Sequence, residues 1–296
     1  MKNSIHFISQ VIPFYNEAEN ARPVIQTSLG ELRSHGVPFE IIAVDDGSKD
    51  RTWQELESLQ KHSPELKLVR LRTNFGQTRA LAAGIKQAQG DWILTMDGDG
   101  QNDPADLPKL ISKAQEGYDV VSGWRKNRKD NSLTRTLPSR IANWILALIT
   151  GLSLHDSGCS LKLYRASALG SISLYSERHR FIPFLLSLKG FRIAEIEVNH
   201  RPRVRGNSKY GLSRTFKVFL DLIALALFAR FREEPRIYFF LAAAPFMFFA
   251  VLTALQGGMT YYGASFLYAF GAFTLVSCGL MAEWLFHFSR ERNYAG

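Results

Sequence analysis

The sequence predicts an α/β domain built on a mostly parallel sheet, followed by a two-helix membrane hairpin. Three observations carry this: short β-rich apolar runs alternate with helical patterns through the front half, polar clusters recur directly after successive runs, and the 46 residues between Arg236 and Glu283 carry no formal charge. A chain of 296 residues accommodates such a domain with an anchor, and 46% hydrophobic against 21% charged residues excludes intrinsic disorder.

The first run, Ile5–Ile12, stops at Pro13, after which Asn16 with Glu19 three positions on reads as a capping box. The second, Phe39–Val44, ends in Asp45-Asp46-Gly47-Ser48, with a helix from Thr52 to His62. Leu66–Leu71 is a third strand, followed by Asn74-Phe75-Gly76-Gln77 and an Ala-rich helix through Gln89. Asp91–Met96 is a fourth, ending in Asp97-Gly98-Asp99-Gly100-Gln101, after which Asp103 caps and Pro104 opens a helix. Asp119–Ser122 is a fifth. Ligands of parallel sheets sit beyond the carboxyl ends of the strands, which is where the four polar clusters fall. They describe one crevice lined with carboxylates. Neither a GxGxxG nor a P-loop pattern occurs.

The alternating Asp97, Asp99 and Gln101 offer two hard carboxylates and an amide carbonyl, a set suited to Mg²⁺ or Mn²⁺. An EF-hand is excluded, because Asn102 and Pro108 stand where that loop needs Gly and Glu. Asp46 reads as an acceptor for a nucleotide base or ribose, with helix capping as the alternative. Cys159 and Cys278 cannot form a disulfide framework, and no Cys/His cluster has zinc-finger spacing.

In the uncharged region, Ile237–Gln256 is 20 residues long, which at about 1.5 Å per residue spans a hydrocarbon core of roughly 30 Å. Ser265–Ala282 is the second span, with Gly257, Gly258 and Gly263 suited to the turn between them; Pro245 and Gly271 are tolerated in membrane helices. Arg230, Arg232 and Arg236 precede the hairpin and Arg290 and Arg292 follow it, so the positive-inside rule puts both ends in the cytoplasm. Met1–Gln10 lacks the features of a signal peptide, so the front half is expected there too. Ser213–Phe231 and Ile141–Leu152 read as amphipathic helices at the membrane surface, or as core-facing helices. The expected division is 1–212 for the α/β domain, 213–235 for a juxtamembrane helix, 236–288 for the hairpin and 289–296 for a tail.

The formal charge of +9 is unevenly placed: residues 1–121 carry −4 and the remainder +13, concentrated in 122–150 and 189–217. A nucleic-acid binder would explain only the net charge and would have a wrongly acidic crevice.

The ordered set Val11–Glu17, Val44–Ser48, Asn74–Gln77, Gly90-Asp91 and Asp97–Gln101 resembles inverting family 2 nucleotide-sugar glycosyltransferases of the GT-A fold. Within them, Asp156-Ser-Gly-Cys-Ser-Leu-Lys162, His179-Arg-Phe-Ile-Pro183 and Arg203-Val-Arg-Gly-Asn-Ser-Lys209 resemble the polyprenyl-phosphate branch that includes dolichyl-phosphate mannose synthase. The resemblance covers about residues 5–235 and implies a hexosyl transfer from a UDP- or GDP-sugar to polyprenyl phosphate at a bacterial-type inner membrane. It further implies that Pro13, Tyr15, Glu17, Val44 and Asp46 hold the nucleotide. Asp97, Asp99 and Gln101 would hold Mg²⁺ or Mn²⁺ and the diphosphate, with Gly98 beside them. Arg125, Arg135 and Ser139 would receive the lipid phosphate, and Arg203 and Lys209 would close over the donor. Asp156 is expected to orient the sugar or the phosphate-binding arginines.

Lys162 and Arg165 read as phosphate contacts or as a solvated face, His179 as a structural histidine with an acceptor-site ligand as the alternative, and Cys159 as a packing residue. A processive polysaccharide synthase would need a Gln-x-x-Arg-Trp motif, which the chain lacks, and a channel that two helices cannot build. A nonenzymatic membrane scaffold would leave the aligned carboxylates without a task. A homo-oligomer is compatible with packed amphipathic helices.

Overall fold

The computed structural model describes residues 3–126, 147, 150–172, 178–201, 235–256 and 258–294. The chain divides into two compact units, one through Leu222 and one from Ile223.

The first unit contains strands β1 (Ile8–Phe14), β2 (Phe39–Asp45), β3 (Leu66–Arg70), β4 (Trp92–Thr95), β5 (Val120–Trp124), β6 (Lys162–Arg165) and β7 (Ile193–Glu197). They form one sheet in the order β3-β2-β1-β4-β6-β5-β7. All described pairings are parallel except those of β6, which runs against both β4 and β5. Helices α1 (Ala18–His35), α2 (Thr52–Gln60), α3 (Gln77–Gln87) and α4 (Leu107–Gln115) fill the crossovers, and the short α5 (Ala166–Gly170) and α6 (Ile182–Ser187) follow β6. Apolar side chains from both sheet faces form two cores: Ile12, Ile25, Leu56 and Leu110 in one, Val11, Val44, Leu81 and Tyr164 in the other.

The expected strand end at Pro13 is overturned, since β1 continues to Phe14 with Pro13 opposite Val44. The Ile8 N–H donates towards β2 (to Pro38) and the Val11 carbonyl accepts from Met96 N–H beyond β4, so alternate residues face opposite neighbours. Pro13 therefore faces the side of β4, whose ladder has already ended at Val11, and its missing N–H costs no pairing. The expected Asn16 capping box is overturned as well. Asn16 takes a left-handed conformation at φ 51°, and α1 begins after Glu17 with no side-chain cap of its own. Its first amides are met from the next loop: Glu17 N–H donates to Thr52 Oγ1 at 2.9 Å and Ala18 N–H to Asp50 Oδ2 at 3.2 Å. Asp103 does cap the following 3₁₀ turn, accepting from Ala105 N–H.

The amino ends of the strands are fastened by buried polar contacts. Gly90 admits no side chain, because a Cβ there would lie 2.7 Å from both the Phe7 carbonyl oxygen and the Ser9 nitrogen. Asp91 accepts from the Phe7 N–H, so Gly90-Asp91 serves the end of the sheet remote from the polar clusters. Glu40, 2% exposed, accepts from Ser9 Oγ and Gln89 N–H and faces Lys67 Nζ at 2.5 Å.

The second unit is an antiparallel pair, α7 (Pro235–Gln256) and α8 (Met259–Tyr294). Ser265 Oγ donates to the Ala250 carbonyl at 2.8 Å, Gly271 and Gly279 let Phe246 and Phe239 approach closely, and Arg236 meets Glu283 at 3.1 Å. The spans Arg236–Gln256 and Met259–Trp284 have mean hydropathies of 2.1 and 1.6, with 11% of each buried. Both are long and apolar enough to cross a membrane, and their exposed apolar surface is unlike that of a soluble core helix. Gly263 lies inside α8 rather than in the turn, where Gly258 adopts φ 97°. The helix of 36 residues continues through the expected tail to Tyr294.

Glu40 supplies a test of how the sheet is fastened. Burial raises its carboxyl, but Lys67, Ser9 and Gln89 outweigh that and hold it below the ordinary value. A depressed carboxylate stabilises the fold above its unfolded pKa, and that contribution is lost as pH falls through the folded one. Glu40→Gln should destabilise the protein by about 1–2 kcal/mol at pH 7. The gap in melting temperature from wild type should close as pH drops below about 4.

Candidate active site

The carboxyl ends of β1, β2 and β4 deliver their polar clusters to one edge of the sheet, and loop-to-loop hydrogen bonds join them. Asn16 Oδ1 accepts from Lys49 N–H at 2.8 Å, and Ser48 Oγ accepts from Asn16 N–H at 2.9 Å. Gly47 sits at φ 67°, and a Cβ there would lie 2.4 Å from the Thr73 carbonyl carbon, so only glycine allows this loop to touch the chain beyond β3.

Asp46 is the organiser of that contact. Its Oδ1 accepts from Phe75 N–H at 2.8 Å, and its Oδ2 accepts from Gly76 N–H at 2.9 Å and Asn74 Nδ2 at 3.0 Å. Burial raises its carboxyl from the ordinary value, with Asp45 adding to the rise, while the Phe75 and Gly76 amides oppose it. The residue expected to receive a nucleotide thus holds a neighbouring loop, with lone-pair capacity for one more donor. A cavity of about 340 Å³ opens beside it, lined by Gly47, Ser48, Arg70, Leu71 and Arg72. Pro13, Tyr15 and Glu17 lie half-buried at the end of β1, and Glu17 Oε2 accepts from Asn20 Nδ2. Val44 is fully buried and packs towards Gly84 of α3, so its side chain does not reach the crevice.

The 74–76 loop leads into Gln77, whose Nε2 donates to Asp97 Oδ1. Burial and the charge of Asp99 push the Asp97 carboxyl up to about 6, opposed by Ser160, Arg125 and Arg180. Two carboxylates this close are a fitting seat for a cation, and their oxygens are the hard donors that Mg²⁺ and Mn²⁺ prefer. Among the described residues no group of three His, Cys, Asp or Glu side chains could hold a metal, so Asp97 and Asp99 by themselves offer only part of a shell. Gln101 N–H donates to Asp99 Oδ1 at 3.1 Å, shaping the turn. Gly98 is required by packing, since a Cβ would lie 2.4 Å from the ring of Phe14.

Facing this pair is a buried ion pair. Arg125 Nε donates to Asp156 Oδ2 at 2.7 Å and its Nη2 to Oδ1 at 3.0 Å, with side-chain exposures of 12% and 6%. Burial alone would lower the guanidinium; Asp156 reverses that and holds it above its ordinary value. Glu195 of β7 fixes the Asp156 turn, accepting from Asp156 N–H and His155 N–H, both at 2.9 Å. His155 stacks on Trp124 with ring centroids 4.2 Å apart. Ser160 Oγ donates to Asn102 Oδ1 at 2.8 Å, tying this turn to the one after β4.

The two readings of Lys162 and Arg165 separate. Lys162 is not on a solvated face but 2% exposed at the start of β6, whereas Arg165 pairs with Asp119 at 3.0 Å, remote from the crevice. His179 is buried with Nδ1 2.7 Å from Thr78 Oγ1, and burial pushes the Cys159 thiol up to about 11. Arg135, Ser139, Arg203 and Lys209 lie outside the described residues, as do the helix expected at Ser213–Phe231 and most of Ile141–Leu152. Arg201, the last described residue before 202–234, donates its N–H to the Gln101 carbonyl at 2.9 Å. Residue-by-residue sequence reading missed Gln77, Ser160, Arg180 and Glu195; Gln77, Ser160 and Arg180 stood inside the family motifs, while Glu195 is recognisable only by its partners.

Residues 9–172 match the model of glycosyl transferase family 2. The chain belongs to this family. Dodecaprenyl-phosphate galacturonate synthase of Rhizobium johnstonii is 43% identical over 236 residues, covering 78% of this chain and 70% of that protein. Undecaprenyl-phosphate 4-deoxy-4-formamido-L-arabinose transferase of Pseudomonas paraeruginosa is 35% identical over 290 residues, covering 95% and 85%. Among solved structures, glucosyl-3-phosphoglycerate synthase from Mycobacterium tuberculosis in complex with Mn²⁺, UDP and phosphoglyceric acid superposes with a TM-score of 0.59 at 19% identity, over 76% of this chain and 78% of that one. That likeness establishes the GT-A fold of this family member.

Asp46→Asn should release the 74–76 loop, because an amide nitrogen takes the place of one of two oxygens that each accept a backbone N–H. Protection of the Phe75 and Gly76 amides against hydrogen exchange should fall about tenfold or more, the loss expected for hydrogen bonds to a charged group.

Proposed function

We propose that this chain transfers a glycosyl group, hexosyl in the reading from sequence, from a UDP- or GDP-sugar to polyprenyl phosphate with inversion. The observation that carries this reading is the apposition of Asp97 and Asp99 with the Arg125–Asp156 pair: a seat for a cation and a donor diphosphate next to a seat for a second phosphate. The relatives named for transfer to polyprenyl phosphate support the acceptor, and the apolar helix pair suits an enzyme that meets its acceptor in a bilayer. The proposed setting is a bacterial-type inner membrane, with residues 1–212 and both ends of the hairpin on the cytoplasmic side.

Asp97 and Asp99, with Gln101, would hold Mg²⁺ or Mn²⁺. When bound, such an ion neutralises charge on a departing nucleoside diphosphate. Pro13, Tyr15, Glu17 and the loop organised by Asp46 would hold the nucleoside. The acceptor phosphate is largely dianionic near neutral pH, since its second pKa is about 6, so no general base is needed. One of its oxygens forms the bond to the anomeric carbon while the bond to the diphosphate oxygen breaks and its electron pair leaves with the nucleotide. The protein's part is to bring two anions into line and stabilise them. Arg125, Arg135 and Ser139 would take the acceptor phosphate, Arg203 and Lys209 would cover the donor, and Asp156 would orient Arg125.

The test is incubation of detergent-purified protein with polyprenyl phosphate, Mg²⁺ or Mn²⁺, and a donor panel spanning neutral hexoses, a hexuronic acid and a formamido-arabinose, with mass analysis of the lipid. A single sugar–phosphate–lipid product is expected. Bound nucleotide with no lipid product from any donor would contradict the proposal. Asp99→Asn should remove metal-dependent transfer, by about a hundredfold or more, while leaving the melting temperature within a few degrees of wild type.

A further inference from the structure

Lys162 is a buried cation that the proposed reaction does not use. It is the first residue of β6, opposite Thr95 of β4 and Ser122 of β5. Because β6 runs against both neighbours, its beginning lies where they end, at the edge that carries Asp97. Residues opposite one another in antiparallel strands share a face, so the Lys162 side chain stands beside that of Ser122, whose buried Oγ has no hydrogen-bond partner among the described residues.

The Lys162 ammonium donates to the Ser157 carbonyl at 2.9 Å, in the turn that carries Asp156. Its charged surroundings are Asp156, already held by both nitrogens of the Arg125 fork, and the guanidinium groups of Arg125 and Arg180. Burial pulls the ammonium down to about 8, and both arginines add to the pull against Cys159 and Asp156. Asp97 faces both guanidinium groups, but the Lys162 ammonium itself forms no ion pair with a carboxylate among the described residues, and a buried ammonium met only by the neutral Ser157 carbonyl is costly. An incoming anion offsets that cost.

We propose that Lys162 is a phosphate-positioning residue: its ammonium holds the Asp156–Ser157 turn and, with Arg125 and Arg180, supplies the positive charge that draws in a substrate phosphate. This rests on the transfer to polyprenyl phosphate proposed above. The phosphate belongs either to the donor diphosphate or to the acceptor, and the experiment distinguishes them.

Full-length protein in detergent is titrated with two probes, UDP or GDP with Mn²⁺ and farnesyl phosphate, and affinities are read from thermal unfolding. Lys162→Met should melt within a few degrees of wild type, because the desolvation cost of the buried ammonium that is removed offsets the lost hydrogen bond to the Ser157 carbonyl. Its affinity for one probe should fall tenfold or more, and Lys162→Arg should recover part of the loss. The probe affected identifies the phosphate. Affinities within twofold of wild type for both probes would overturn the proposal. So would failure of both Lys162→Met and Lys162→Gln to fold, which would make the lysine a structural strut. Wild-type protein that bound neither probe would instead remove the functional reading, and this inference with it.

Discussion

The reversal of one strand governs this site. β4 and β5 run parallel to the rest of the sheet and finish at the same edge, and β6 enters between them from that edge in the opposite sense. The chain must therefore arrive at the ends of β4 and β5 before it can pair with them. Its arrival segment carries Asp156, Ser160 and Lys162 to within reach of Asp97 and Arg125. A fully parallel sheet would have delivered these residues to the opposite edge.

Around that arrangement the site is held by hydrogen bonds to charged groups in sparsely hydrated surroundings, where such bonds are strong and their absence costly. Asp46 gathers the 74–76 loop, Gln77 passes from that loop to Asp97, Asn102 and Ser160 join the turn after β4 to the turn before β6, and Glu195 fixes Asp156 from β7. Each link crosses between segments remote in sequence. Displacing one loop therefore bears on the next, and the carboxylates after β4 are mechanically continuous with Arg125. The positive charge that is diffuse in the composition takes local form here, as Arg125, Lys162 and Arg180 beside Asp97, Asp99 and Asp156.

The parts of this architecture legible in the sequence are those set by local rules. The first five strands and the helices between them follow from apolar runs and polar punctuation, and the crevice follows from polar clusters recurring after the strands. What escaped was non-local. β6 is only four residues long, opens with a lysine and carries no turn signal, so its place between β4 and β5 cannot be read from its own pattern. Pro13 looked like a strand end because its missing N–H harms a strand only where a neighbour awaits it, and here β4 has already stopped. Asn16 looked like a cap because it precedes a helix, whereas Asp50 and Thr52 supply that cap from the following loop. Asp46 was legible as a carboxylate at the site but not as the anchor of a loop nearly thirty residues on.

The proposed transfer requires one edge of the sheet to seat a donor diphosphate by Asp97 and Asp99 and, separately, an acceptor phosphate by Arg125. Phosphorus relaxation by bound Mn²⁺ tests this most directly, with nucleoside diphosphate and farnesyl phosphate bound together to the full-length protein in detergent. The account predicts strong relaxation of both diphosphate phosphorus nuclei, weaker but measurable relaxation of the lipid phosphate, and loss of both effects in Asp99→Asn. Stronger relaxation of the lipid phosphate than of the diphosphate, or relaxation unchanged in Asp99→Asn, would contradict it.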